Sequence, residues 1–472
     1  MSVAEDLCAL SAAELLRGYA TRALSPVEVT RASLARIEAL EPLLHATYAL
    51  DAEAAMAAAR ASESRWRGAK SGEQPGALDG VPVTIKENVA TAGVPVPLGT
   101  AATQLTPAAR DAPPAARLRE AGAVILCKTT MPDWGMLSSG LSSFHPLARN
   151  PWDTRRNPGG SSAGAAAACA GRYAPLHVGT DIGGSIRLPA GWCGIVGLKP
   201  SLGRVPIDPP YAGRVAGPMT RNVTDAALMM GVLSRPDWRD ASSLPPQSID
   251  WLALERDARG LKLGLQMDAG WGLPVDPEIA ATIEAAARGL EAAGANVERV
   301  GPFMTRAMID GMDDFWRMRA WLDFKALPPE RQAKVLPYIA EWARGGEGLS
   351  GERVFRGFSQ MAAMRDAAVA ACQPYDAVLS PTAPIAAFAA ESASPLDDPT
   401  QPFEHIAFTL PFNMSEQPAI SVNAGFTREG LPIGLQIAGR RHDDIGVLRM
   451  AKLWEELSGG EPMWPEPGAA KP

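Results

Sequence analysis

Residues Asn157 to Arg187 read NPGGSSAGAAAACAGRYAPLHVGTDIGGSIR. Two Gly-Gly-Ser corners stand in this stretch, one ending at Ser161 and the other at Ser185. Paired glycines give the backbone conformations closed to other residues and allow another group to approach closely. Between the corners lie a small-residue helix pattern, Ser162 to Ala170, and a short apolar run, Leu176 to Val178. A helix and a strand that return one hydroxyl toward another describe a site better than a spacer.

Outward from this stretch, strand-like and helical segments alternate. Val81 to Ile85 is a short apolar run ending at Lys86, and Ala123 to Cys127 is another, followed by Lys128. Helical patterns cover residues 11–23, Ser25 to about Leu40, Asp51 to Trp66, Pro114 to Ala121 and Val223 to Leu233. Leu261 to Leu265 and Val297 to Val300 flank a helix whose apolar face is Ile279, Ile283, Ala286 and Leu290, a unit that favours a parallel crossover. Residues 303–345 and Arg353 to Ala371 are helical, with Trp316, Trp321 and Trp342 assigned to core packing. Strand patterns return at Asp376 to Leu379, Ala419 to Val422 and Ile433 to Ile437. The fold class is therefore α/β, with a large mixed, mostly parallel sheet covered by helices on both faces.

Composition narrows the function. The 472 residues have 46% hydrophobic and 21% charged content and a net charge of −7, with no basic block for a nucleic-acid backbone. The cysteines, Cys8, Cys127, Cys169, Cys193 and Cys372, are scattered and never form C-x-x-C, which argues for reduced thiols. No histidine motif points to a metal, so no metal or cofactor is expected. Glu5 and Asp6 stand where a signal peptide would be basic, and no apolar run reaches membrane-spanning length. A cytoplasmic protein without membrane contact is expected.

A serine hydroxyl needs a base to become nucleophilic. Gly160 to Gly164 matches G-x-S-x-G around Ser162, but the polar segment Asp153 to Pro158 replaces the strand this motif requires, so the match is read as accidental. The alternative base is a lysine whose burial disfavours its charged form. Lys86 ends an apolar run and is the candidate, although position alone favours a solvated surface charge.

Three segments decide between these readings: Leu78 to Asn88, Pro158 to Gly164, and Gly179 to Arg187. Together they closely resemble the amidase signature family, as do Lys128 to Pro132, Cys193 to Pro200 and Gly434 to Gln436. The resemblance runs from about Leu10 to Glu456 and is weakest over 235–350. It implies the amidase signature fold and a Ser–cis-Ser–Lys triad. In that triad Ser185 attacks an amide carbonyl, and Ser161, after a cis peptide, passes the proton to Lys86. It also implies one unit over residues 1–472: helices over 1–65, the motif-bearing core over 66–230, a variable helical substrate region over 235–350, the rest of the core over 351–456 and a tail over 457–472.

Around this triad, the backbone N–H groups of Ile182, Gly183, Gly184 and Ser185 are candidates for an oxyanion hole. Asp181 and Arg187 bracket the corner as supports of its backbone, with a surface salt bridge as the alternative. Met131 and Trp134 are candidates for the acyl pocket, with core packing as the alternative. His177 reads as a satisfied core histidine, and Cys169 and Cys193 as packing. Ala163 stands where the family usually has glycine, and Glu87 where aspartate is common. The expected activity is that of an amidase cleaving a carbon–nitrogen bond in a small-molecule amide through a serine acyl-enzyme. The alternatives are the A-type subunit of a glutamine-dependent amidotransferase, which Gly217 to Val223 fits less well, and a non-catalytic scaffold on the same fold. A homodimer is expected from the resemblance alone.

Overall fold

In the computed structural model, residues 7–68 and 74–467 are described. Glu5, Asp6 and the last residues of the tail, 468–472, lie outside them. The described residues build one 11-stranded sheet. Its strands are β1 (Thr47–Tyr48), β2 (Pro82–Lys86), β3 (Val124–Thr129), β4 (Leu176–Asp181), β5 (Val196–Lys199), β6 (Val215–Thr220), β7 (Lys262–Gln266), β8 (Asn296–Val300), β9 (Ala377–Pro381), β10 (Ala419–Phe426) and β11 (Pro432–Gly439). Their order is β1-β3-β2-β4-β6-β5-β10-β11-β9-β7-β8.

The sheet is mixed, as expected, but it is not mostly parallel. Parallel pairing is confined to two groups, β3-β2-β4 and β9-β7-β8. All other neighbours run antiparallel, so antiparallel pairs are the majority. The reason lies in the connections. β10 and β11 are joined by a tight turn, Thr427 to Leu431, where a parallel pair would need a long crossover. The β7–helix–β8 unit is the parallel crossover its sequence predicts, with Ile279, Ile283, Ala286 and Leu290 buried beneath it.

Every residue of β2, β4, β6, β9 and β11 is buried, which requires cover on both faces of the sheet. Two strands are not legible from the chain. β1 is only two residues long. β6 reads VAGPMT, and its glycine and proline are depleted in strand interiors. Pro218 stands in register with Val178 of β4, just beyond the pairs that Met219 and Thr220 make with β5.

The helix after the first corner, Ala163–Ala170, is buried along its whole length. A side chain at Gly164 would collide with the Ala46 carbonyl and Thr130, so the small residues permit close packing against β3 and its flank. The aromatic arm packs separately from the sheet core. Its helices are Arg306–Lys325, Pro329–Gln332 and Pro337–Arg344. Trp316 and Trp342 sit in this second core as expected, and Trp321 is half-buried, stacked near Phe324. No helix among the described residues is long and apolar enough to cross a membrane.

Candidate active site

β2 lies between the parallel strands β3 and β4, so its last residue, Lys86, reaches the carboxyl edge of the sheet in full burial. Lys86 Nζ donates to Ser161 Oγ at 2.8 Å and to Ser162 Oγ at 3.1 Å, with the Thr180 carbonyl at 3.5 Å. Burial pushes the amine down to about 7, against the nearby negative charges of Asp181 and Glu87, which favour its protonation. The surface-charge alternative for Lys86 is therefore wrong. The Gly160–Ser161 peptide is cis, as the resemblance implies.

The second corner begins at Asp181, the last residue of β4. Asp181 and Arg187 have fully buried side chains in a bidentate pair at 3.0 Å per bond, which overturns the surface-bridge alternative. Burial opposes the charge on Asp181, but the Arg187 guanidinium outweighs it and holds the carboxyl well below its usual range. The carboxylate accepts N–H bonds from Gly184 and Ile186, and Arg187 donates to Thr409 O, Gln436 Oε1 and Asn413 Oδ1. The Ser185 turn is thus held from inside. One expectation fails here. Gly184 N–H is bound to Asp181 Oδ1 at 2.8 Å, so it does not face the cleft. Ile182, Gly183 and Ser185 do line it.

That cleft encloses about 780 Å³ with its open mouth included. Ser161 and the partly exposed Ser185 share its floor, and Ser162 N–H ties the two corners by donating to the Ser185 carbonyl at 3.2 Å. Trp134 lines the wall as expected. Met131 does not: it is buried just after β3 and packs beneath Gly135 instead. Gly135, at φ +69°, carries the chain past Ser161 Oγ where a Cβ would lie 3.2 Å away. The lining also draws on the arm and its surroundings: Trp316, Arg319, Phe403, Ile406 and, from the loop before β6, Arg214.

Several residues fall where the sequence puts them. His177 shares hydrogen bonds with Thr84 Oγ1 and the Ala174 carbonyl, and burial drives it down to about 3, a neutral core histidine. Cys169 and Cys193 are buried with raised thiol pKa values, as packing residues should be. Ala163 opens its helix without crowding the site. Glu87 supports Lys86 only through its charge, since its carboxylate binds Gly99 N–H and His145 Nε2. Ser162 matters more than its accidental motif suggests. No strand precedes it, yet its hydroxyl is a second partner of Lys86 and bridges to the Thr180 backbone. Gln436 and Asn413 anchor Arg187 without having been singled out by the sequence, although Gly434 to Gln436 is among the matching segments.

This arrangement fits the chemistry of a lysine-assisted serine amidase. The amidase family model matches residues 28–448, and the chain belongs to the amidase signature family. It is 37% identical to the A-type subunit of a glutamyl-tRNA(Gln) amidotransferase from Myxococcus xanthus, over 95% of this chain and 97% of that one. It is 34% identical to an acylamidase of Rhodococcus erythropolis, over 96% of each. Among solved structures, a bacterial aryl acylamidase of the amidase signature family superposes with a TM-score of 0.87 at 30% identity, covering 95% of this chain and 96% of that one.

Proposed function

We propose that this chain hydrolyses the carbon–nitrogen bond of a small-molecule amide through an acyl-enzyme on Ser185. The observation that carries the reading is Lys86 Nζ, fully buried and 2.8 Å from Ser161 Oγ on the floor of the cleft that Ser185 lines. A neutral amine there can accept a proton. Ser185 Oγ attacks the carbonyl carbon while its proton passes to Ser161, whose own proton goes to Lys86. The carbonyl oxygen, now negative, is met by backbone N–H groups at Ile182, Gly183 and Ser185. Return of the proton to the nitrogen expels ammonia or an amine, and water, activated by the same relay, frees the acid and Ser185.

Acylamidase similarity supports this reading, and so does the pairing of the two corners. Similarity to the amidotransferase favours a second reading, in which ammonia is handed to a partner. The purified chain, given aryl and aliphatic amides without glutamine and, separately, glutamine with and without partner subunits, tests the first against the second. Turnover that disappears in Ser185→Ala supports hydrolysis. Turnover only of glutamine, and only with added partner subunits, supports the transferase. Failure of a fluorophosphonate to label Ser185 would point to a scaffold without chemistry.

A further inference from the structure

The cleft that Ser161 and Ser185 line is also lined by two arginines, Arg214 and Arg319. Arg214 comes from the loop entering β6, and its guanidinium touches the Pro209 carbonyl. Arg319 comes from the helix Arg306–Lys325, and its guanidinium lies 4.8 Å from the centre of the Tyr211 ring, in the same loop. Among the described residues, neither forms an ion pair with a carboxylate. The contrast within one helix is sharp: Arg306 pairs with Asp310 and Glu404, and Arg317 pairs with Asp313 at 2.7 Å.

The nearby carboxylates are already engaged. Asp181 belongs to Arg187, and Asp208 pairs with Arg110 at 3.1 Å. Asp240 accepts from Ile207 N–H and from Ser242. Burial and the like charge of Arg319 both push Arg214 below its usual range, so the two cations sense each other. A tether between loop and helix needs only one cation over Tyr211. A second one beside it, in a half-buried cleft, leaves positive charge that Asp240 and Asp208 offset only through space, without an ion pair. Such a cleft concentrates anions, and a guanidinium pairs best with a planar carboxylate.

Resting on the amidase reading above, we infer that the substrate is an amide bearing a second, anionic group, a carboxylate, held by Arg214 and Arg319 while its carbonyl faces Ser185. The test compares half-amides of succinic, glutaric and adipic acid, and their N-phenyl forms, with straight-chain amides carrying a methyl group in place of the carboxylate. Wild-type kcat/KM should favour the carboxylates at least about tenfold. The double variant Arg214→Gln/Arg319→Gln should lower kcat/KM for the carboxylates by about 10- to 100-fold, bringing the ratio toward one, the size expected for lost hydrogen bonds to a charged group. Arg319→Lys, which keeps the charge, should retain part of the preference. A wild-type preference for the methyl series, or a ratio that survives the double variant, overturns the inference.

Binding to Ser185→Ala, read by calorimetry, separates this idea from the hydrolysis reading. Half-amides that bind at least about tenfold tighter than their methyl twins, and lose this in the arginine variants, sustain the carboxylate site even without turnover. Equal binding of the two series, or none by the half-amides, refutes it. Absence of Ser185-dependent turnover with binding intact counts only against hydrolysis.

Discussion

The two walls of the cleft are built by opposite rules. The serine wall, from Lys86 to Arg187, is made of small residues and internally satisfied polar groups: Lys86 has Ser161 and Ser162, and Asp181 has Arg187 and three N–H donors. The arm wall is made of large aromatics, Trp316 and Phe403, and of two guanidiniums without an ion-pair partner, Arg319 over the Tyr211 ring and Arg214 on the Pro209 carbonyl. The first wall spends its polar groups on one another and so fixes a geometry. On the inference above, the second offers them to an anionic substrate. On the proposed function, chemistry and selectivity lie in different parts of the chain, and they should respond differently to change.

The sharpest test of the division is Ser185→Ala. It should reduce turnover by at least about 10³-fold and abolish fluorophosphonate labelling without a shift in thermal unfolding. Lys86→Ala comes next, with a loss on the order of 10²- to 10⁴-fold at neutral pH and partial recovery in alkali, where hydroxide replaces the base. In the wild type, kcat/KM should rise with pH through an apparent pKa near 7, because the lysine must be neutral to accept a proton. An acid limb centred well away from 7, or unchanged neutral activity in Lys86→Ala, would break the relay.

Stability supplies a further test of the serine wall. Lys86 is depressed from an ordinary value of 10.5 to about 7, so between these limits the unfolded chain binds a proton that the folded one does not. Its cost to stability is fully present below pH 7 and is relieved as pH rises toward 10.5. Lys128 and Lys199, buried and also driven to about 7, act in the same direction. Lys86→Met should flatten the rise in urea-unfolding free energy over this window by up to about 1.4 kcal/mol per pH unit. An equal slope in both proteins contradicts it.

Asp181→Asn strands a buried guanidinium and should cost about 3–5 kcal/mol in chemical denaturation. Activity should fall as well, since the Ser185 turn loses its internal anchor. Changes in the aromatic lining should be milder and of another kind. Trp134→Ala should alter KM by about tenfold for bulky acyl groups while fluorophosphonate labelling of Ser185 persists. Smallest of all is Met131→Leu, which lies beneath Gly135 rather than in the cleft, and should change kcat/KM by less than about threefold. A large shift in substrate preference there would return Met131 to the pocket.

The serine wall is largely readable because its residues lie in contiguous motifs whose residue types follow from the chemistry proposed for them. Gly-Gly-Ser corners need glycine to let backbones meet, and a lysine that accepts protons at neutral pH needs burial. The errors come where a residue's direction matters. Gly184 offers an N–H by type, but the Asp181 carboxylate takes it. Met131 is apolar and near the site in sequence, but packs behind it. Ser162 reads as an accident of spacing until β2 and β4 bring Lys86 and Thr180 to it.

From the chain alone come the family resemblance, the α/β class, and the residues of the proposed triad, since local propensity and motif spacing are properties of short segments. Tertiary structure decides the rest. Whether strands pair parallel or antiparallel depends on how distant segments dock, and burial of Lys86 depends on neighbours on both sides of β2. The meeting of Arg214 with Arg319, more than a hundred residues apart, has no trace in either local sequence. It exists because a helix from the arm closes over a loop of the core and leaves two like charges facing one cavity.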